Sequence, residues 1–149
     1  MVNTNFQGFI LMVVMSLGIN AGAQSSLEMT KVPGGQFEAF WIDTKPRKGV
    51  DGKDVPVVRN ISIPGFESMV TQVTNRDFIE FLKKSPEWRK SKIKRIYADK
   101  NYLENFESDL KVQKDVNLVA PVTYVSWFAA RAFCKSQDMR LPTLEEWEY

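Results

Sequence analysis

Apolar positions along this chain change period several times, and each change marks an element. Phe78, Phe81 and Leu82 fall at i, i+3 and i+4, one face of a helix, and Thr74 with Asp77 three residues on supplies a capping box. Ser85-Pro86 ends that helix, because proline has no amide donor and its ring crowds the preceding turn. Ser126 caps a second helix, whose Ala129, Ala132 and Phe133 give a small-residue face suited to close packing. A third is predicted from Thr143, with Glu146 placed to reach back to the cap amide. Glu145 and Glu146 lie in its first turn, where negative charge suits the helix dipole, and Trp147 stands where a staple with Pro142 can form. One turn without continuation does not repay helix nucleation, so the expectation is a chain cut within this helix; the alternative is a short terminal turn.

Elsewhere the period is two. Residues 27–32 and 36–42 read as strands around Pro33-Gly34-Gly35, with Phe37, Ala39 and Trp41 alternating with Gln36, Glu38 and Phe40. Residues 55–63 read as a strand with Val55, Val57, Ile61 and Ile63 on one face and Arg59 interrupting it, and 121–125 as an apolar strand. Residues 45–54 are predicted to be a polar loop, and 97–117, polar and aperiodic, a long surface insertion. Together these elements predict an α+β fold.

The apolar run 9–17 has the length of a signal h-region, and Ala21-Gly22-Ala23 supplies a cleavage motif. Residues 1–23 are therefore expected to be a cleaved signal peptide and 24–149 the exported chain, periplasmic or extracellular. The run is too short to span a bilayer, so no membrane span is expected after cleavage. One departure is the lack of Lys or Arg from Met1 to Gln7; a buried N-terminal strand or helix is the alternative.

The chemistry on offer is sparse. There is no histidine among the 149 residues, which removes Ser-His and Cys-His catalysis and His-based metal sites from this chain. The single cysteine, Cys134, forms no internal disulfide or thiolate cluster and is read as inert packing. Gly34-Gly35 lies in neither phosphate-binding pattern and reads as a tight turn. The sequon Asn60-Ile61-Ser62 falls inside a predicted strand and is read as unused. A net charge of +2, from 20 basic and 18 acidic residues, gives no reason to expect nucleic acid. The run Lys83, Lys84, Arg89, Lys90, Lys92, Lys94 and Arg95 carries Glu87 alone against it, with Trp88, Ile96 and Tyr97 close by. A nucleic-acid patch would need one-face clustering and an aromatic platform, and the run is read as a solvated surface. No catalytic, cofactor-binding or metal-ligating residue is assigned.

Four blocks carry a resemblance: Val32-Pro33-Gly34-Gly35-Gln36-Phe37; Val73-Thr74-Asn75-Arg76-Asp77-Phe78-Ile79-Glu80-Phe81; Pro121-Val122 with Val125-Ser126-Trp127, Ala132-Phe133-Cys134; and Arg140-Leu141-Pro142-Thr143 with Glu146-Trp147-Glu148-Tyr149. In this order they resemble the sulfatase-modifying-factor family, which includes formylglycine-generating enzymes, the ergothioneine-synthase catalytic domain and a pyoverdine-maturation protein. The resemblance runs from about residue 29 to 149 and covers the N-terminal half of the family domain. It implies an irregular, C-type-lectin-like α+β fold, here truncated. Intact formylglycine-generating enzymes oxidise a sulfatase cysteine with oxygen and copper, and the resemblance places their copper-binding cysteines and calcium ligands in the other half. Iron in the ergothioneine-synthase relatives is held by histidines outside this region. Ala129 stands where many relatives carry an acid, Ala39-Phe40-Trp41 replaces a common Met-Gly, and the cysteine matching Cys134 pairs, in some secreted relatives, with one in the other half. The implied function is an exported protein similar to formylglycine-generating enzymes, inactive alone, with no cofactor of its own and a sulfatase or other exported protein as partner. The alternative is a non-catalytic, lectin-like binding or structural module, as in gliding-motility-type proteins. Either way, Phe78, Phe81, Leu82, Phe133 and Trp147 are expected to be partly uncovered for want of partners beyond Tyr149.

Overall fold

The computed structural model describes residues 14–15, 27–39, 47–55 and 60–149. In chain order the strands are β1 (Val14–Met15), β2 (Met29–Val32), β3 (Gly35–Glu38), β4 (Arg47–Lys48), β5 (Asp54–Val55), β6 (Asn60–Ile63), β7 (Phe66–Met69), β8 (Phe106–Ser108), β9 (Lys111–Val112) and β10 (Met139–Arg140). The helices are α1 (Asn75–Lys84), α2 (Trp127–Ser136) and α3 (Leu144–Glu148), with 3-10 turns at Pro86–Trp88 and Arg95–Tyr97. This is an α+β chain of small antiparallel sheets, as the periodicities predict.

Two of the sheets are one bent ribbon. β2 pairs with β7, Met29 opposite Met69 through Val32 opposite Phe66, and β3 pairs with β6, Gly35 opposite Ile63 through Glu38 opposite Asn60. Between the pairs, Pro33-Gly34 crosses Pro64-Gly65, so the expected tight turn at Gly34-Gly35 is instead a bend in a continuing ribbon, with Gly35 already in β3. A Cβ on Gly34 would lie 2.6 Å from the Gly65 amide nitrogen and 2.7 Å from the Ile63 carbonyl oxygen. Both neighbours are backbone and cannot swing aside, so the crossing requires glycine. The ribbon's wide end extends into the sheet order β10-β1-β7-β2, with Val14 opposite both Ser68 and Arg140. β1 lies within the apolar run 9–17; the remainder of 1–23, including Ala21-Gly22-Ala23, lies outside the described residues, as do Phe40, Trp41, Val57 and Arg59. The expected alternation holds where described: Phe37 is half-buried between exposed Gln36 and Glu38, and Ile61 and Ile63 turn inward between exposed Asn60 and Ser62.

α1 has every donor of its first turn satisfied. Thr74 Oγ accepts from the Asp77 amide at 3.2 Å, and the Asp77 carboxylate accepts from the Thr74 amide at 3.0 Å. The Asn75 and Arg76 amides donate to the Ala120 and Leu118 carbonyls, and the Phe78 amide to Thr74. Asn75, 1% exposed, ties the same loop down with its side-chain amide, donating to the Asn117 and Ala120 carbonyls. A segment remote in sequence therefore caps this helix.

The core lies between α1 and α2. Phe78, Phe81 and Phe133 form a mutual cluster with ring centroids 5.3–5.9 Å apart. Phe78 and Leu82 are fully buried, and Phe81 and Phe133 nearly so. The expectation of uncovered helix faces is corrected here: Met69, Val73, Val122 and Ala129 from this same chain belong to the cluster that closes over them. Only Trp147 of the five is exposed, at 58%.

Three local expectations are also corrected. Residues 97–117 are not a surface insertion: Tyr102, Leu103, Phe106 and Val112 are buried in the core, and 106–112 folds into the β8–β9 hairpin. The spacing is irregular because Leu103 takes a left-handed φ of 50° and the hairpin register shifts between Phe106 and Ser108, so no period survives. Residues 121–125 do not form a strand. They make an isolated bridge at Thr74–Pro121 and a bond from the Val122 amide to Val73, and Tyr124, at φ 58°, turns the chain away. Residues 45–54 are not simply a loop, since β4 and β5 pair across a turn in which Gly52 has φ 74°.

Candidate functional site

Cys134 is fully buried on the inner face of α2, and burial pushes its thiol up to about 12. At that value it is a protonated packing group rather than a nucleophile or metal ligand. Copper(I) wants several soft thiolates, so the donor set of this chain does not fit the metal that the resemblance implies. Among the described residues no group of three His, Cys, Asp or Glu side chains converges as a metal site would. The acids that do converge on something have protein partners. Asp109 accepts from the Ser91 amide and hydroxyl at 2.8 and 2.6 Å, which holds its carboxyl below the usual range. Glu146 accepts from both Arg140 guanidinium nitrogens at 2.6 Å and from the Thr143 amide at 2.8 Å, and these bonds lower its carboxyl too. Ala129, at the third position of α2, is fully buried, and Ser126 Oγ alone accepts from its amide. Asn60 of the sequon is an exposed residue of β6 paired with Glu38.

The basic run is partly structural. Arg89 donates to the Leu82 carbonyl at 2.9 Å and to the Lys83 carbonyl at 3.3 Å, closing the C-terminus of α1, and Lys90 donates to the Phe106 carbonyl at 2.7 Å. A shallow depression lined by Lys90, Ser91, Glu107, Ser108, Asp109 and Leu110 lies beside these contacts, but Ser91 and Asp109 bond to each other, Lys90 to the Phe106 carbonyl and Glu107 to Lys111.

The surface feature with most to offer is a row of aromatic rings that the sequence does not place together. Trp88 leans on Tyr97 with centroids 6.0 Å apart, Tyr97 on Phe128 at 5.3 Å, and Phe128 on Trp127 at 5.3 Å. The Arg131 guanidinium carbon sits 5.4 Å from the Trp127 centroid, a cation–π distance. Tyr97, Phe128 and Trp127 are 39%, 43% and 51% exposed. The row exists because α2 is two-faced: Ala129, Ala130, Phe133 and Cys134 point into the core, and Trp127, Phe128, Arg131 and Lys135 face outward. The Trp88 carbonyl accepts from the Tyr102 hydroxyl at 2.7 Å, which fixes the row's far end. The aromatics near the basic run were legible; their meeting with α2 was not.

An α+β chain with capped helices, a glycine-crossed ribbon and no converging catalytic groups among its described residues defines a class by fold rather than by chemistry. The chain belongs to the family of the Sulfatase-modifying factor enzyme 1-like domain, whose model matches residues 18–149. It is similar to the inactive C-alpha-formylglycine-generating enzyme 2 of Bos taurus, 28% identical over 93% of this chain and 54% of that protein. The Mus musculus protein of the same name is 27% identical over 81% of this chain and 46% of its own length. An uncharacterized protein of Borreliella burgdorferi is 26% identical over 66% of this chain and 21% of its own. The chain thus spans about half the length of the two mammalian relatives. No solved structure matches it.

Proposed function

We propose that this chain serves as an exported, non-catalytic unit of the sulfatase-modifying-factor family, offering a folded surface where other members offer chemistry. The observation that carries this reading is Cys134: the only thiol of a chain without histidine is fully buried on the inner face of α2. That two relatives bear the word inactive in their names is in keeping with it. The test is incubation of the full chain, with and without added copper, with a sulfatase-derived cysteine peptide. No aldehyde product is expected above a Cys134→Ser control; product above that control would overturn the reading.

Export rests on the run 9–17 and Ala21-Gly22-Ala23. Cleavage after Ala23 would remove β1 and leave β7 and β10 each without a partner strand on that side. Intact-mass measurement on fractionated cells tests it. A mature chain beginning at Gln24 outside the cytoplasm is expected, and full-length protein retaining Met1 in the cytoplasm would exclude it. No helix among the described residues is long and apolar enough to cross a membrane.

A further inference from the structure

We propose that the row of Trp88, Tyr97, Phe128 and Trp127, with Arg131, is a docking surface for an acidic polypeptide segment that carries an aromatic or aliphatic anchor. The inference gives a site to the binding role proposed above and rests on that reading.

Charge supplies the first argument. Residues 83–100 hold eight Lys and Arg against Glu87 and Asp99, and α2 adds Arg131 and Lys135 with no acid. These two segments carry +8 of a chain whose net charge is +2, which leaves −6 on the remainder. The near-neutral total therefore conceals a local excess of positive charge in the two segments that carry the aromatic row. Lys94 and Arg95 stand within three residues of Tyr97, and Lys100 three beyond it; none of them makes an ion pair among the described residues. A field of one sign beside an apolar patch selects a partner of the opposite sign and speeds its arrival.

Ring geometry supplies the second, because it separates the anionic partners. Stacking of nucleobases or sugar faces needs an open, flat aromatic face. Here Trp127 and Phe128 meet at 85° and Tyr97 and Phe128 at 60°, so the row presents mixed ring edges rather than one flat platform. One face of Trp127 already carries Arg131. Exposed crossed ring edges suit contact with a single aliphatic or aromatic side chain, and Trp, Tyr and Arg are the residue types that dominate binding energy at protein interfaces. Ile96, 76% exposed beside Tyr97, widens the apolar ground.

The test is selection from a random peptide display library on the full chain, followed by titration of the resynthesised peptides, with oligothymidine and a sulfated glycan titrated in parallel. Acidic sequences bearing an aromatic or aliphatic residue are expected to be enriched, and their affinity to fall as salt rises. Trp127→Ala with Phe128→Ala, and separately Arg131→Glu with Lys135→Glu, should each weaken binding by about tenfold or more. All four positions are exposed, so an unchanged unfolding midpoint should accompany the loss. No enrichment, a consensus without acids, affinity indifferent to both variants, or preference for oligothymidine or glycan would each overturn the proposal. None of those outcomes touches the aldehyde assay, so failure of the docking surface is distinguishable from failure of the non-catalytic reading.

Discussion

Helices α1 and α3 both start at a threonine whose hydroxyl accepts from the third helical amide, while that residue's carboxylate returns to the threonine amide. Beyond this shared first turn they have little in common. α1 runs ten residues and buries Asn75, Phe78, Ile79, Phe81 and Leu82; α3 runs five and buries none. α3 is held at its edges instead, by the Arg140–Glu146 fork at one end and by Tyr149 at the other, where the ring packs edge-on to Phe37 at 5.5 Å. A capping box fixes where a helix begins, and tertiary burial decides how much unfolding it resists.

The largest effect should come from removing the packing that only α1 has. Phe78 touches Phe81 and Phe133 and has no exposed surface. Phe78→Ala is expected to cost about 3–5 kcal/mol, read as a fall in the urea midpoint at unchanged slope. Trp147→Ala, at 58% exposure, should cost less than about 1 kcal/mol. Equal losses at the two sites would break the contrast.

Next in size is the ribbon crossing. Gly34→Ala drives a methyl into the backbone of 63–65 and should cost about 1–3 kcal/mol. Gly35→Ala meets only the hydroxyl end of Tyr149, a side chain free to swing, so it should release Tyr149 from Phe37 and leave the midpoint nearly unchanged. Adjacent glycines of one motif thus separate a global effect from one confined to the α3 edge. Thermal unfolding of both variants, with the Tyr149 ring followed by NMR, distinguishes them; a larger loss at Gly35 would reverse the assignment.

What could be read beforehand follows how local each determinant is. Both capping boxes and the Phe78, Phe81, Leu82 face were legible, because each is set by residues within one or two turns. Pro33-Gly34-Gly35 was legible as a break between two strands, but not as the ribbon crossing it makes instead of the expected tight turn, and the reason for two glycines lies in Gly65 and Tyr149, which are remote in sequence. Tyr102, Leu103, Phe106 and Val112 were misplaced to the surface because a left-handed residue and a shifted hairpin erase any period. β7 and β10 went unread; four residues of strand beside Pro64-Gly65, and two after α2, are too short to show alternation. The same limit governs the candidate site. Trp88 and Tyr97 are visible beside the basic run, while Trp127 and Phe128 join them only through the packing of α2.

Cap removal should come third. Thr74→Ala leaves an N-terminal donor of a buried helix without its partner and should cost about 1 kcal/mol in global unfolding. Thr143→Ala should fray α3 while the urea midpoint stays nearly fixed, because α3 buries no residue. A shared loss of about 1 kcal/mol would show that α3 unfolds with the core.

The smallest expected effect is a pH response confined to α3. The Glu146 carboxylate is lowered chiefly by its bonds to Arg140, then by the Thr143 amide, and those bonds exist only in the folded chain. A carboxyl lowered on folding contributes stability that is present above its unfolded value of about 4.3 and disappears as pH falls through the lower, folded value. Arg140 stays charged throughout, so Glu146 alone sets the window. Solvent at Arg140, whose side chain is 40% exposed, screens the pair and keeps its worth within about 0.2–1 kcal/mol. Acidification from neutral to below pH 4 should therefore lower the amide protection factors over 144–149, taken relative to the intrinsic exchange rate at each pH, before it affects those of Phe78 or Phe133. Glu146→Gln should show the lowered protection already at neutral pH and lose the acid response, since no titrating group remains in the fork. If protection at 144–149 stays constant from pH 7 to pH 3 in the unsubstituted chain, the Arg140–Glu146 fork is not what holds α3, and the Tyr149–Phe37 contact carries it instead.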